Sequence, residues 1–253
     1  MVNQLHDPSK QFSGRLAVIT GGSRGIGAAI AQQLLDGGAT VVVAARSRTE
    51  SIPTGATFIA SDVRSKEGAE ALTKEALQVL GGIDILINNA GAARVYLQGS
   101  SSIPDEEWLD SLNINFLSAV RVTNAFLPSL KESKAGAIVN ISSGGATPPP
   151  GPLVHYVAAK TALNSYSQGL AQELAPSKIR VNVVTPGLIL TPGGDEIRKV
   201  FTDALGITTE QLMPVPLGRQ GQPDDIASLV AFLVSDRGEW ISGQNYHVTG
   251  GGA

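Results

Sequence analysis

The sequence predicts an α/β protein: one doubly wound parallel sheet of about seven strands, with helices on both faces. Three observations predict it. Short apolar runs rich in Val and Ile alternate with segments of helical spacing along almost the whole chain. The runs end in turns marked by Gly, Asn or Pro, and no linker, repeat or low-complexity tract interrupts the alternation. A length of 253 residues with that continuity reads as a single domain over 1–253, preceded by a polar leader at 1–13.

"RLAVIT" at 15–20 is an apolar run ending in a glycine-rich turn, which suits a buried parallel strand feeding a helix. That helix should span Gly25 to Asp36 and stop at Gly37-Gly38. "TVVVAA" at 40–45 and "TFIASDV" at 57–63 are crowded with strand-forming residues and supply strands two and three. "KEGAEALTKEALQVL" at 66–80 has helical spacing, and "IDILINNAG" at 83–91 is a fourth strand with its turn. A long helix is expected from Asp105 to about Leu130, a fifth strand at "GAIVNISS" (136–143), and a helix from near Val154 to Leu174. "IRVNVVTPG" (179–187) is a sixth strand, "PDDIASLVAFLVS" (223–235) a helix with Pro223 in its first turn, and "QNYHV" (244–248) a seventh strand. Between Leu188 and Val215 the pattern breaks into Pro- and Gly-interrupted pieces, read as a partly helical, substrate-binding excursion over the sheet.

Composition excludes several function classes. A net charge of −3 with no run of Lys or Arg leaves no electrostatic footprint for nucleic acid or for an anionic membrane surface. No stretch of eighteen apolar residues is present and the first residues have no apolar core, so neither a membrane span nor a secretory signal is expected and the chain is assigned to the cytoplasm. With zero cysteines and three scattered histidines, disulfides, thiolate catalysis and a metal site are not expected. The chemistry must use oxygen, nitrogen or a bound cofactor.

Parallel sheets of this kind bind ligands outside the carboxyl ends of their strands, and the motifs fall there. "TGGSRGIG" at 20–27 puts Gly21, Gly25 and Gly27 where a strand turns into a helix. Glycine permits the tight turn and close approach to a pyrophosphate, and the helix start supplies free N–H groups. After the second strand, where a carboxylate would hold the ribose 2′-hydroxyl of NAD, the chain reads "AARSR". Arg46, aided by Arg24 and Ser47, suits a 2′-phosphate instead, so NADP(H) is expected over NAD(H). Asp62 is a candidate acceptor for the adenine amino group or, equally, a cap for the next helix.

"TGGSRGIG", "NNAG" at 88–91, Asn115 in "NINFLS", Ser143 in "NISS", "YVAAK" at 156–160 and "PGLILT" at 186–191 stand in the order and spacing of one family. Together they resemble the short-chain dehydrogenase/reductases, from about Gly14 to Gly252. The resemblance implies a Rossmann-type fold and a catalytic set of Asn115, Ser143, Tyr156 and Lys160. It further implies a dinucleotide site made of Gly21, Ser23, Arg24, Gly25, Ile26, Gly27, Arg46, Ser47, Asp62, Val63, Asn89, Ala90, Gly91, Tyr156, Lys160, Pro186, Gly187, Ile189 and Thr191. In it, Asn115 holds a water linking Lys160 to solvent, Asn89 joins neighbouring strands, and Pro186-Gly187 with Thr191 contact the nicotinamide carboxamide. The alternative for Asn115 is a helix-interior asparagine bonded to backbone, and for "NNAG" an ordinary turn with Gly91 at positive φ.

Physical reasoning from the residues agrees with the catalytic set. Carbonyl reduction needs a proton delivered to the forming alkoxide from about 3 Å, and Tyr156 is the candidate donor. Run in reverse it must be a base, and a phenol is only about one part in a thousand ionised at pH 7. Lys160, one helical turn on, is expected to favour the phenolate by about 3 kcal/mol at about 5 Å and an effective dielectric near 20. Ser143 would hold the substrate oxygen against the tyrosine, with Ser142 pointing to the opposite side of the strand.

The expected activity is NADP(H)-dependent interconversion of a ketone or aldehyde and an alcohol. Loops 92–99, 144–153 and 188–215 should line the pocket with mostly apolar residues (Val95, Tyr96, Leu97, Leu153, Leu188, Ile189, Phe201, Met213), favouring a small, moderately apolar carbonyl substrate. A 3-oxoacyl carrier-protein reductase is the alternative, for which only Arg94, Lys131 and Lys134 offer a basic docking surface. An inactive nucleotide-sensing protein is the alternative of another class. Family resemblance implies a homotetramer assembled through the helices at 105–130 and 155–174. His155 lies about a hundred degrees around the helix from Tyr156 and is not assigned to catalysis. The sequon at Asn140 falls in a strand, and "TPPPGP" (147–152) reads as a stiffener of the pocket loop.

Overall fold

The computed structural model describes residues 10–144, 151–212 and 214–252. Seven strands form one parallel sheet in the order β3-β2-β1-β4-β5-β6-β7. They are β1 Leu16–Thr20, β2 Thr40–Ala45, β3 Thr57–Ala60, β4 Ile85–Asn88, β5 Ala137–Ile141, β6 Arg180–Pro186 and β7 Asn245–Val248. The order reverses between β1 and β4, and that switch point opens the crevice in which such sheets take ligands. β3 stops at Ala60 rather than running on to Val63.

The helices are α1 Gly25–Asp36, α2 Lys66–Leu80, α3 Asp105–Leu112, α4 Ser118–Glu132, α5 Val154–Leu174, α6 Pro192–Leu205, α7 Thr209–Leu212 and α8 Pro223–Val234. Side-chain alternation along the strands divides the core into two layers. Ala17, Ile19, Val41, Val43, Ile85, Ile87, Val139 and Ile141 face α1 and α8. Val18, Val42, Ala44, Leu86 and Ile138 face α2, α4 and α5. Because both faces are covered, the strands read as continuous apolar runs. Phe12 is itself core, 2% exposed and packed on the chain reversal at Gly37, so the residues before Arg15 are not wholly a polar leader. Residues 1–9 of the expected leader lie outside the described residues.

The helix expected over 105–130 is not continuous. Between α3 and α4 lies one π-helical turn, Asn113–Leu117, with the extra residue inserted around Asn115. The Asn115 amide donates to the carbonyl of Ser111 one turn back (3.1 Å) and to that of Ala92 across the gap (2.8 Å). Its oxygen accepts from the Ala92 N–H at 3.1 Å. One side chain therefore bonds its own helix and a neighbouring loop together. In the excursion, Thr191 caps α6 by accepting from Gly194 N–H, and Gly206 closes it at φ 66°. Met213 and most of "TPPPGP" lie outside the described residues.

Candidate active site

The carboxyl ends of β1, β4, β5 and β6 bring the sequence-predicted residues to one rim. The turn after β1 is shaped by Gly21 and Gly25, at φ 65° and 56°, a region open to glycine. Gly27 is required for space: a Cβ there would sit 2.4 Å from the Gly21 carbonyl oxygen. Asn89 binds the turn to β4, its amide donating to the carbonyls of Thr20 (3.1 Å) and Gly21 (3.0 Å), while Ala90 N–H donates to the Thr20 hydroxyl.

The residues fit a dinucleotide phosphate. Arg24 precedes α1 and places no side-chain acceptor on the first-turn N–H groups, and no acid stands in that turn. The positive end of a twelve-residue helix is thus left facing outward. Arg24, Arg46 and Ser47 are exposed beside it, and neither arginine forms an ion pair among the described residues. Arg46 also lines a cleft of about 520 Å³ with Arg64, Arg94, Glu106, Glu107 and Asp110. Ser23 and Val63 are buried at the same rim, and Ile26 and Ala90 are partly buried.

Asp62 does not cap α2. Ser65 does, accepting from Gly68 N–H at 3.0 Å, while Asp62 turns back onto the Arg64 N–H (3.0 Å) and guanidinium. The sequence reading missed Arg64, which shares the cleft with Arg46. A second basic residue two past an acid after strand three was the available signal.

Pro186 ends β6, Gly187 N–H donates to Val248, and Ile189 pairs with Gly221 and is 7% exposed. Thr191 rests against the glycine turn: a Cβ on Gly25 would lie 3.1 Å from its methyl group. Gly91 is not at positive φ, contrary to the plain-turn alternative. Its need is room, because a Cβ there would lie 2.9 Å from Asn115 Oδ1 and 3.4 Å from Lys160 Nζ.

That contact brings Gly91, Asn115 and Lys160 together. Asn115 is 1% exposed, with its amide nitrogen and its oxygen both bonded to protein. Lys160 is 4% exposed and its Nζ donates to the Ile141 carbonyl at 2.8 Å, at the end of β5. Among the described residues no carboxylate pairs with it, and burial brings its pKa down to about 8. Ser142 points beneath α5, its hydroxyl 3.5 Å from the Lys160 carbonyl. Ser143 follows it at the end of β5, close enough to Tyr156 to lower the phenol's pKa.

The expectation that Lys160 draws the Tyr156 phenol down is not met in the protein alone. Burial raises the phenol's pKa, and the nearby Ser143 hydroxyl opposes it. Removing phenolate and ammonium from water penalises both charged forms, and the ammonium is directed at a backbone carbonyl. The consequence suits a proton donor: at neutral pH the phenol is protonated. Of the expected apolar lining Leu97 is exposed and Ile189 buried, and the described cleft is charged.

The chain is similar to known proteins over nearly its whole length. A family model described as enoyl-(acyl carrier protein) reductase matches residues 21–252. A 3-oxoacyl-[acyl-carrier-protein] reductase of Haemophilus influenzae is 39% identical over 249 residues, covering 95% of this chain and 98% of that one. An uncharacterized oxidoreductase of Methylorubrum extorquens is 37% identical over 256 residues, with the same coverage. The crystal structure of L-sorbose reductase from Gluconobacter frateurii, complexed with NADPH and L-sorbose, superposes with a TM-score of 0.86 at 32% identity, over 96% of this chain and 98% of that one. The chain belongs to the short-chain dehydrogenase/reductase family. It is an NADP(H)-dependent oxidoreductase acting on a ketone–alcohol pair. No helix among the described residues is long and apolar enough to cross a membrane.

Proposed function

We infer that this enzyme works as a carbonyl reductase, with Tyr156 delivering the proton. The observation that supports the reading is a buried Lys160, without a carboxylate partner among the described residues, whose Nζ reaches the Ile141 carbonyl at the end of β5, next to Gly91 and Asn115 and one helical turn from Tyr156 on α5. Bound NADPH supplies the hydride. Ser143 and Tyr156 together hold the carbonyl oxygen, the phenol donates its proton as that oxygen becomes an alkoxide, and Lys160 offers a cation to the phenolate left behind. Asn115 holds the loop after β4 in place beside Lys160. Gly21, Gly25 and Gly27 with the α1 start take the pyrophosphate, and Arg24, Arg46 and Ser47 take the 2′-phosphate.

The substrate is a small, moderately apolar carbonyl compound. A second reading is favoured by the relatives: the Haemophilus influenzae and Vibrio harveyi proteins, 39% and 36% identical, are 3-oxoacyl-[acyl-carrier-protein] reductases. Against it, Arg94 is occupied by Glu107, and Lys131 and Lys134 flank Glu132. Following NADPH oxidation with simple ketones, acetoacetyl-coenzyme A and an acetoacetyl carrier protein separates the two. The reading extends to a cytoplasmic homotetramer, supported by exposed apolar side chains at Leu109 on α3 (61%) and Trp240 (97%).

Tyr156→Phe tests the chemistry. It should keep NADPH binding and lose turnover by about 10²- to 10⁴-fold. Unchanged NADPH consumption would refute the proton-donor role.

A further inference from the structure

Among the described residues Glu107 is the buried carboxylate, alongside the buried charges of Lys160 and Arg198. The first turn of α3 carries three acids, as a helix start favours, and Asp105 and Glu106 stand in water as such acids do. Glu107 is 7% exposed. Its Oε2 is ion-paired with Arg94, in the loop 92–99 that borders the substrate side. Its Oε1 faces His155 Nε2 at 3.6 Å, beyond a hydrogen bond. His155 is fully enclosed, and neither of its ring nitrogens has a hydrogen-bond partner among the described residues. It lies edge-on to Tyr96 of the loop (5.5 Å) and Trp108 of α3 (6.0 Å). The next residue is Tyr156.

One buried carboxylate therefore stands where the substrate loop, α3 and the first turn of α5 meet. A second tie joins the loop to the turn just before α5, Tyr96 N–H donating to the Pro152 carbonyl at 3.0 Å. An unpaired imidazole buried beside a carboxylate is costly to maintain and calls for a reason. Here a movement of a few tenths of an ångström would let Nε2–H donate to Oε1, so the cluster has a ready way to tighten.

We propose that Glu107 is a positioning residue for the reaction, clamping the substrate loop through Arg94 onto the start of α5 through His155 and so fixing where the Tyr156 phenol meets the substrate. The proposal rests on the reading of Tyr156 as proton donor. His155 is the neutral member: burial and Arg94 both disfavour its protonation and Glu107 opposes them. The other charged groups at the cluster are Asp110, 3.8 Å from Arg94 and 3.1 Å from Arg64, and Arg46, Arg64 and Glu106, which line the same cleft.

The experiment compares Glu107→Gln, Glu107→Asp, Arg94→Gln and the double variant Glu107→Gln/Arg94→Gln, assayed on ethyl acetoacetate and acetoacetyl-coenzyme A, with NADPH affinity measured separately by fluorescence titration. Glu107→Gln should leave NADPH affinity within about twofold, lower kcat by about tenfold to a hundredfold and raise the carbonyl KM. Glu107→Asp should recover part of the loss, and the double variant should be no worse than the single ones because both break one link. Additive losses, or wild-type kcat and KM in Glu107→Gln, would overturn the proposal. Should Glu107→Gln not fold, Arg94→Gln at its exposed position must show the same kcat loss, and wild-type kinetics there would overturn it too. A second readout does not depend on turnover. In a Trp240→Phe background, quenching of Trp108 emission by protonated His155 should move to lower pH in Glu107→Gln and to higher pH in Arg94→Gln, and equal midpoints would also overturn it. Failure of Tyr156→Phe to abolish turnover would instead remove the catalytic reading and leave these spectral shifts standing.

Discussion

Lys160→Met should make the protein more stable as it makes it inactive, and the gain should depend on pH. A lysine whose pKa falls from 10.5 to about 8 on folding is penalised as an ammonium by about 3 kcal/mol, since each unit is about 1.4 kcal/mol. No solvent discount applies at 4% exposure. The sign follows from linkage: below about pH 8 both states are charged and the folded state bears the whole penalty. It is relieved as pH rises towards 10.5, where the unfolded lysine also loses its proton. Methionine fills similar volume without charge but leaves the Ile141 carbonyl without its 2.8 Å donor, a cost of about 1–3 kcal/mol. The absolute gain at pH 7 is thus small, whereas the change in the difference is not. Between pH 7 and pH 10 the wild type should gain about 2.5 kcal/mol on the variant. Urea denaturation of both proteins at fixed concentration across that range measures it. Parallel stability curves would refute the reasoning that burial alone governs this amine.

Further outcomes follow from the same geometry. Arg46→Ala should raise the KM for NADPH by about tenfold to a hundredfold while leaving that for NADH within twofold, because a charge-assisted contact to a 2′-phosphate is lost. An equal effect on both nucleotides would assign Arg46 elsewhere. Asn140 sits in a buried chain in which Asn88 donates to it (2.8 Å) and it donates to Ser167 (2.7 Å). Asn140→Ala should cost about 3 kcal/mol in urea denaturation from two lost bonds and a small void, and a loss under 1 kcal/mol would show the chain contributes little.

Much of the fold was legible because buried parallel strands advertise themselves. Val18 and Ile19, adjacent in sequence, each face an apolar layer, so the whole run is hydrophobic. The glycine turn and the Tyr156–Lys160 spacing were legible for the same local reason. What was hidden depends on partners far along the chain. The π turn at Asn115 arises from a bond to Ala92, 23 residues earlier, and nothing in "NINFL" marks it. Phe12 looked like part of a polar leader because the pocket that receives it is made by Gly37. Coulomb's law applied to Tyr156 and Lys160 could not anticipate that the amine would be directed at Ile141, nor that loss of water would outweigh attraction for both groups. Glu107 was indistinguishable from Asp105 and Glu106 by position alone, since burial is decided by Arg94 and His155.

The touch of Thr191 on Gly25 means that the cap of α6 leans on the glycine turn proposed to take the diphosphate. Nucleotide arrival and the posture of the roof over the substrate are therefore mechanically joined, and turnover should proceed in a compulsory order with the nucleotide first on and last off. Product-inhibition patterns report that order directly; NADP⁺ should compete with NADPH alone, and a random pattern would uncouple roof from turn.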